Sequence, residues 1–194
     1  MSLGAVVLAA GGSRRLGTPK QLLEYRGAPL LAAVLSTARS AGFDQVVVAL
    51  GGSADAVRAQ VDTAGLDVVV NADYGSGCGS SMGLAVRALR RDVTGLVLLL
   101  GDQPGVDVAT IGTLLTRVGA ASVGVCRYAD GPGHPLWFGR EVFDELTDLH
   151  GDKAVWKVVD SHPEAVEVAV PGPVPRDVDT WEDYQALLAE TTDG

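Results

Sequence analysis

Six small or branched apolar residues, Ala5-Val6-Val7-Leu8-Ala9-Ala10, run without a break into Gly11-Gly12-Ser13-Arg14-Arg15-Leu16-Gly17-Thr18-Pro19-Lys20. A strand with no polar face has to be covered on both sides, which is the condition of a parallel strand inside an α/β sheet. The glycines that end it let a ligand approach the backbone and leave its N–H groups free to face an anion. Residues 1 to 26 hold four cations (Arg14, Arg15, Lys20, Arg26) against the single acid Glu24, in a chain of formal net charge -9. This local reversal of sign on a glycine loop points to a polyphosphate site. A solvated surface turn is the alternative, and the rest of the chain has to decide between them.

At 194 residues the chain is long enough to bury a core and short for two, so one domain over residues 1–194 is expected. Apolar residues make up 47% and aromatics only 5%. The core must then come from Val, Leu and Ala, which favours an α/β protein over a β-sandwich. Spacing predicts a helix over 28–41 closed by Gly42, a strand over 46–50, a helix over 53–61 capped by Ser53, and a strand over 66–70. A polar loop over 71–81 follows, then a helix with Leu84, Ala85, Ala88 and Leu89 inward and a strand over 95–100. Ile111, Leu114, Leu115 and Val118 mark another helix, and 121–126 another strand.

This alternation predicts a mostly parallel sheet wrapped by helices, a single-domain, Rossmann-like, three-layer α/β/α fold. Ligands of such sheets sit at the carboxyl ends of the strands, so the loops at 9–20, 71–81 and 101–104 are expected to share one face. The last third is less regular. There Gly133 to Phe138 begins a strand, and Val142, Leu146 and Leu149 fit a short helix. Pro163 and the Pro171, Pro173, Pro175 group mark loops, and Thr180-x-x-Asp183 reads as the capping box of a final helix.

Composition also excludes partners. A pI near 4.7 argues against nonspecific binding to nucleic acid or anionic membranes. The opening apolar run has no basic segment before it and is too short to span a bilayer. Cys78 and Cys126 lie far apart with no metal-site spacing, as free thiols of a reducing compartment would. A cytoplasmic location is the expectation.

The chemistry of the loop is narrowed by what it fails to match. A P-loop needs Lys and Ser or Thr directly after its last glycine, whereas Gly17 is followed by Thr18-Pro19 and only then Lys20. The dinucleotide pattern G-x-G-x-x-G has no counterpart in residues 11–17. Further on, Asp102 follows the apolar run Leu96 to Leu100 and so stands at the end of a rigid strand. Either it is a turn former before Gln103-Pro104, or it is a Mg²⁺ ligand that shares the ion with water and phosphate. Gly79-Ser80-Ser81-Met82-Gly83 fits the G-x-S-x-G elbow of serine hydrolases, but an elbow needs a strand directly before its Ser and ten polar or small residues intervene here. His150 and His162, in polar surroundings, are expected at the surface. His134, between Gly133 and Pro135, is a turn residue or a ligand contact.

The stretch Ala9-Ala10-Gly11-Gly12-Ser13-Arg14-Arg15-Leu16-Gly17, with Lys20 close behind, resembles the nucleotidyltransferase signature A-A-G-x-S-x-R-x-G. Gly101-Asp102-Gln103-Pro104 matches the Gly-Asp-x-Pro of the same family. Asn71-x-Asp73-Tyr74 with Gly77 and Ser80-Ser81, Gly133-His134-Pro135, and Asp177-Val178-Asp179-Thr180-x-Glu182-Asp183 follow in the family's order. Over residues 4 to about 188 the chain resembles the molybdenum cofactor cytidylyltransferases and the related guanylyltransferases. It departs from them at Gly151-Asp152-Lys153-Ala154-Val155-Trp156, where relatives often read Gly-Asp-x-Gly-Ala-Arg.

The resemblance implies transfer of CMP from CTP to molybdopterin with release of pyrophosphate, Mg²⁺ as cofactor, and a molybdenum enzyme or its chaperone as partner. It implies a nucleotide-binding part over about 1–120 and an acceptor-binding part over about 121–194. Leu8, Ala9, Ala10, Gly11, Gly12, Ser13, Arg15, Lys20, Asp73 and Ser81 would bind the nucleotide. Arg15, Lys20 and Asp102 would act in catalysis, Asp102 and Asp179 would hold the metal with Asp177 as a further candidate, and His134 and Lys153 would face the acceptor. Three alternatives stand beside it. One is a GTP-using guanylyltransferase, one a transferase for another acceptor such as a sugar phosphate, whose glycine, Arg and Lys loop is similar, and one a nucleotide-binding module without turnover.

Overall fold

The computed structural model describes residues 2–151 and 154–192. The first strand, β1 (Ser2–Ala9), leads through the glycine loop to a small hairpin of β2 (Glu24–Tyr25) and β3 (Ala28–Pro29) and then to α1 (Leu30–Ser40). Arg26 and Gly27 turn the hairpin in left-handed conformations, φ 53° and 79°. β4 (Gln45–Leu50), α2 (Ala54–Gln60), β5 (Asp67–Val70), α3 (Cys78–Arg87), β6 (Val93–Leu100) and α4 (Val108–Val118) complete the regular part. β7 (Val123–Tyr128), β8 (Gly131–Gly139), α5 (Phe143–Thr147), α6 (Ala154–Ser161), β9 (Val166–Ala169) and α7 (Trp181–Thr192) follow.

Seven strands form one sheet in the order β5-β4-β1-β6-β8-β7-β9. The β5, β4, β1, β6 half is parallel, β8 is antiparallel to both β6 and β7, and β9 returns parallel to β7. β1 lies between β4 and β6, as a strand without a polar face must. Because side chains alternate along a strand, Ala5, Val7, Val46, Val48, Val97 and Leu99 meet α1, α2 and α4 on one side. Val6, Val47, Ala49, Leu96 and Leu98 meet α3, α5 and α6 on the other. The three-layer α/β/α expectation is what forms.

Local differences have local causes. Helix α1 starts at Leu30 because Pro29 cannot sit in a helix interior, and Ala28-Pro29 pair as a short strand instead. Ser53 occupies the N-cap of α2, but its side chain makes no capping bond. The helix after the 71–81 loop ends at Arg87, and β7 runs 123–128 rather than 121–126. Helix α6 and strand β9 have no counterpart in the sequence reading, since each is short and its apolar residues lie in a Val-rich run without clear period.

A third, small core decides where the site lies. Leu16, Leu23, Tyr25 and Leu30 pack with Val178 and Leu187, so the glycine loop and the hairpin are bound to the C-terminal helix. Val178 is fully buried, and its N–H donates to the carbonyl of Asp102 at 3.2 Å. The capping box of α7 forms as expected: Thr180 Oγ1 donates to Asp183 at 2.8 Å, and the Asp183 N–H returns to Thr180 Oγ1 at 3.2 Å.

Candidate active site

The loop after β1 is braced from within. Ser13 takes a left-handed φ of 48°, its carbonyl accepts the N–H groups of Leu16 and Gly17, and its Oγ accepts the N–H of Lys20 at 2.9 Å. Gln21, 3% exposed, reaches back under the loop and donates to Ala9 O at 2.7 Å and Gly11 O at 3.2 Å. Gly11 and Gly12 remain exposed between these braces, with their backbone open to a cleft. The cleft has a volume of about 620 Å³. Its walls come from the β1 loop, the start of α3 with Gly77, Cys78 and Ser81, the end of β6 with Asp102, and the tail with Asp179. The three loops expected on one face do share it. The first turn of α3 borders it as well and brings the positive end of that helix dipole beside the cleft, while its Gly79 N–H is taken by the Gly151 carbonyl at 3.2 Å.

Opposite charges meet at the centre. Lys20 Nζ donates to Asp102, and to Asp179 at 2.8 Å. Arg15 pairs with the other oxygen of Asp179 at 2.8 Å from a mostly exposed position. Burial works against the Lys20 charge, but Asp102 and Asp179 outweigh it and raise the ammonium above its ordinary range. Hydrogen bonding from Lys20 lowers Asp179. Asp177 moves the other way: surrounding protein, then the charges of Asp102 and Asp179, push its carboxyl up to about 6, although the residue as a whole is exposed. The cluster therefore has carboxylate charge beyond what Lys20 and Arg15 neutralise. Among the described residues no group of three or more His, Cys, Asp or Glu forms a closed metal cage. Lys20 and Arg15 engage both oxygens of Asp179 and Lys20 one oxygen of Asp102, so a hard divalent cation, which takes one or two protein carboxylates and completes its shell with water and phosphate oxygens, would share these two carboxylates with the cations. The residues present fit such an ion.

At the far end of the cleft, His134 is 7% exposed and its ring meets Trp156 edge to face, centroids 5.5 Å apart. Burial lowers the imidazole to about 4, so it is neutral near pH 7. Trp156 is half-buried and lines the cleft; it is not a closed core residue.

Leu8, Ala9, Ala10, Gly11, Gly12, Ser13, Arg15, Lys20, Ser81, Asp102, His134 and Asp179 all line this one cleft. Asp73 does not. It is exposed, its N–H is taken by Asn71 Oδ1 and its carbonyl by Ser76 and Ser80, because the buried Asn71 organises the loop from inside. Lys153 lies outside the described residues. Asn71 Nδ2 also donates to Ser81 Oγ, and β5 ends at Val70, so Ser81 is not on a nucleophile elbow. His150 is exposed, whereas the His162 side chain is largely buried beside Val158 and Glu145.

Two residues beyond the sequence reading are Gln21 and Gln103. Gln103, 3% exposed, donates to Pro175 O at 3.0 Å and so fastens the tail that carries Asp179 to the Asp102 loop. Both glutamines adjoin motif residues, and the only signal in the chain is that adjacency.

The MobA-like NTP transferase domain matches residues 5–166. Nicotine blue oxidoreductase of Paenarthrobacter nicotinovorans is 40% identical over 139 residues, 68% of each chain. The bifunctional protein GlmU of Pseudomonas syringae pv. syringae is 35% identical over 147 residues, which are 75% of this chain but only 31% of that protein. Among solved structures, Rv0371c of Mycobacterium tuberculosis H37Rv superposes with TM-score 0.91 at 52% identity, covering 97% of this chain and 98% of that one. A second structure of Rv0371c is a complex with manganese.

Proposed function

The chain belongs to the MobA-like NTP transferase family and is an enzyme of the nucleotidyltransferase type; from that premise we propose that it transfers CMP from CTP to a molybdopterin-type acceptor with Mg²⁺. The observation that carries this reading is the meeting of the glycine loop, Lys20, Asp102 and Asp179 in one cleft. An oxygen of the acceptor's terminal phosphate attacks the α-phosphorus in line, the bond to the bridging oxygen breaks, and pyrophosphate leaves. Such a transfer is governed by positioning and charge neutralisation more than by covalent chemistry of the protein.

The backbone N–H groups of Gly11, Gly12 and Ser13 hold the phosphates. Lys20 and Arg15 face the charge that builds on them. Asp102 and Asp179 would hold Mg²⁺, which would supply positive charge to offset that of the phosphate oxygens. Leu8 to Ala10 and Ser81 border the base and ribose, and His134 and Trp156, with Lys153, would border the acceptor. The nucleotide then lies against the part over about 1–120 and the acceptor against that over about 121–194, with Asp179 as the tail's contribution to the phosphate end. A molybdenum enzyme or its chaperone would receive the product.

A second reading keeps the transfer and replaces the acceptor by a sugar phosphate; the match to GlmU supports it. The test is to incubate the protein with CTP, Mg²⁺ and molybdenum-loaded molybdopterin and to look for the cytosine dinucleotide by mass, together with released pyrophosphate. Product formation is expected. Pyrophosphate released only with a different phosphorylated acceptor keeps the transferase and removes the pterin. A redox reaction of the kind named in the oxidoreductase relative releases none, so the same readout separates that class.

A further inference from the structure

Tyr74 stands between two cavities. It lines the cleft of about 620 Å³ on one side, and on the other a second cavity of about 410 Å³ bordered by Gly51, Gly52, Ala54, Arg58 and Asn71. Its ring lies so close to three glycines that any side chain there would meet it. A Cβ on Gly12 would come within 3.3 Å of Tyr74 Cε2, one on Gly51 within 3.0 Å of Cγ, and one on Gly52 within 2.5 Å of the hydroxyl oxygen. At Gly51 the carbonyl of Ala10 would also be only 2.3 Å away. The ring is therefore packed from the phosphate loop to the turn after β4. Its hydroxyl has no hydrogen-bond partner among the described residues, so packing alone holds it there.

We propose that Tyr74 is the specificity-determining wall of the base subsite, closing it to the length of a single-ring pyrimidine and denying a purine the volume behind the ring. The inference rests on the nucleotide reading above, in which the phosphates lie along Gly11 to Ser13 and the base points toward Leu8 to Ala10 and the start of α3. A base so placed reaches Tyr74, which lines the same cleft just ahead of Gly77, Cys78 and Ser81 at the start of α3 and also borders the second cavity. A fused second ring needs added depth, and the adjoining volume lies on the far side of this side chain. Glycine at 12, 51 and 52 lets the wall sit close enough to matter, which also explains why the strand end at Leu50 is followed by two glycines.

The experiment compares kcat/KM for CTP and GTP in the full chain and in Tyr74→Phe and Tyr74→Ala, with Mg-nucleotide binding followed independently by thermal shift. The wild type is expected to prefer CTP, and Tyr74→Phe to keep that preference because the ring remains. Tyr74→Ala, which joins the two cavities, is expected to lower the CTP-to-GTP ratio at least tenfold, on the order of one factor of ten per group contact removed, with GTP rising in absolute terms. If Tyr74→Ala does not fold, Tyr74→Leu keeps apolar contact with the glycines and shortens the wall. A ratio unchanged in the folded Ala or Leu variant, whether activity is kept or falls in parallel for both nucleotides, overturns the wall while leaving the wild type's use of CTP standing. A wild type that takes GTP as well as CTP overturns the pyrimidine reading itself, and the two failures are thus distinct.

Discussion

At the scale of single residues, the site works by a balance of charge that each substitution should unsettle in its own direction. Asp102 stands at the end of a buried strand and shares the Lys20 ammonium with Asp179. Asp102→Asn should reduce pyrophosphate release by about 10²- to 10³-fold, the usual effect of losing one preorganised charged group, and should weaken Mn²⁺ binding measured by paramagnetic relaxation. Unchanged turnover would remove Asp102 from the phosphate centre. Gln21 braces the loop beside that centre. Its amide N–H groups satisfy Ala9 O and Gly11 O, so Gln21→Glu puts an acceptor where two carbonyls need donors and should cost about 1–3 kcal/mol of stability in urea titrations.

His134 gives a pH signature of known sign. Its folded value is lowered by burial from 6.5 to about 4, so between those values the unfolded chain binds a proton that the folded one refuses. Stability contributed by keeping this ring neutral is fully present above 6.5 and is lost as pH falls toward 4, on the order of 3 kcal/mol in total. Denaturation midpoints measured across that window should fall more steeply for the wild type than for His134→Asn, and parallel slopes would contradict the assignment.

At the scale of elements, the arrangement depends on how helices begin. The N-terminus of α3 faces the cleft because Asn71 ties the hydroxyls of Ser80 and Ser81 to its own loop at 2.8 and 2.9 Å. Helix α7 begins at Trp181, and the Asp183 carboxylate of its capping box also accepts the N–H of Asp179 at 3.1 Å, so the box fixes the backbone that carries the Asp179 carboxylate as well as the helix. Thr180→Ala should lower stability by about 1 kcal/mol, as loss of an N-cap does, and should raise the Mg²⁺ concentration needed for half-maximal activity without changing the saturated rate much. A stability loss with an unmoved metal dependence would mean that the cap serves the helix alone. Helix α4, whose Asp107 accepts the N–H of Thr110 at 2.7 Å, is capped equally well but lies away from the cleft, and Asp107→Ala serves as the control.

At the scale of the whole molecule, the proposed catalytic centre joins residues 20, 102 and 179, and the last of them is brought in by the small core of Leu16, Leu23, Tyr25, Leu30, Val178 and Leu187 together with the bonds from Gln103 and Val178 between the tail and the Asp102 loop. Leu187→Ala removes a buried side chain from that core and should cost about 2–5 kcal/mol. In the folded fraction it should reduce activity by loosening Asp179, although Leu187 lies far from any phosphate, and full specific activity at reduced stability would show that the tail is dispensable for catalysis. What the sequence by itself determined was the frame. An apolar strand without a polar face had to be central, Leu96 to Leu100 had to present Asp102 at a strand end, and Thr180-x-x-Asp183 had to start a helix, because each of these depends on neighbours within one element. The corrections come from interactions between elements. Asp73 and Ser81 belong to one sequence motif, yet the buried Asn71 holds the N–H of the first in an exposed loop and the hydroxyl of the second inside α3. Gln21 and Gln103 carry no pattern of their own and acquire their places from a carbonyl or a tail brought near by the fold, and Tyr74, though part of a motif, meets its three glycines only in the folded chain. The pairing of Lys20 with Asp179, 159 residues apart, was decided by tertiary structure for the same reason: local periodicity is set by the chain's own geometry, whereas contact across the molecule is set by which apolar faces find one another.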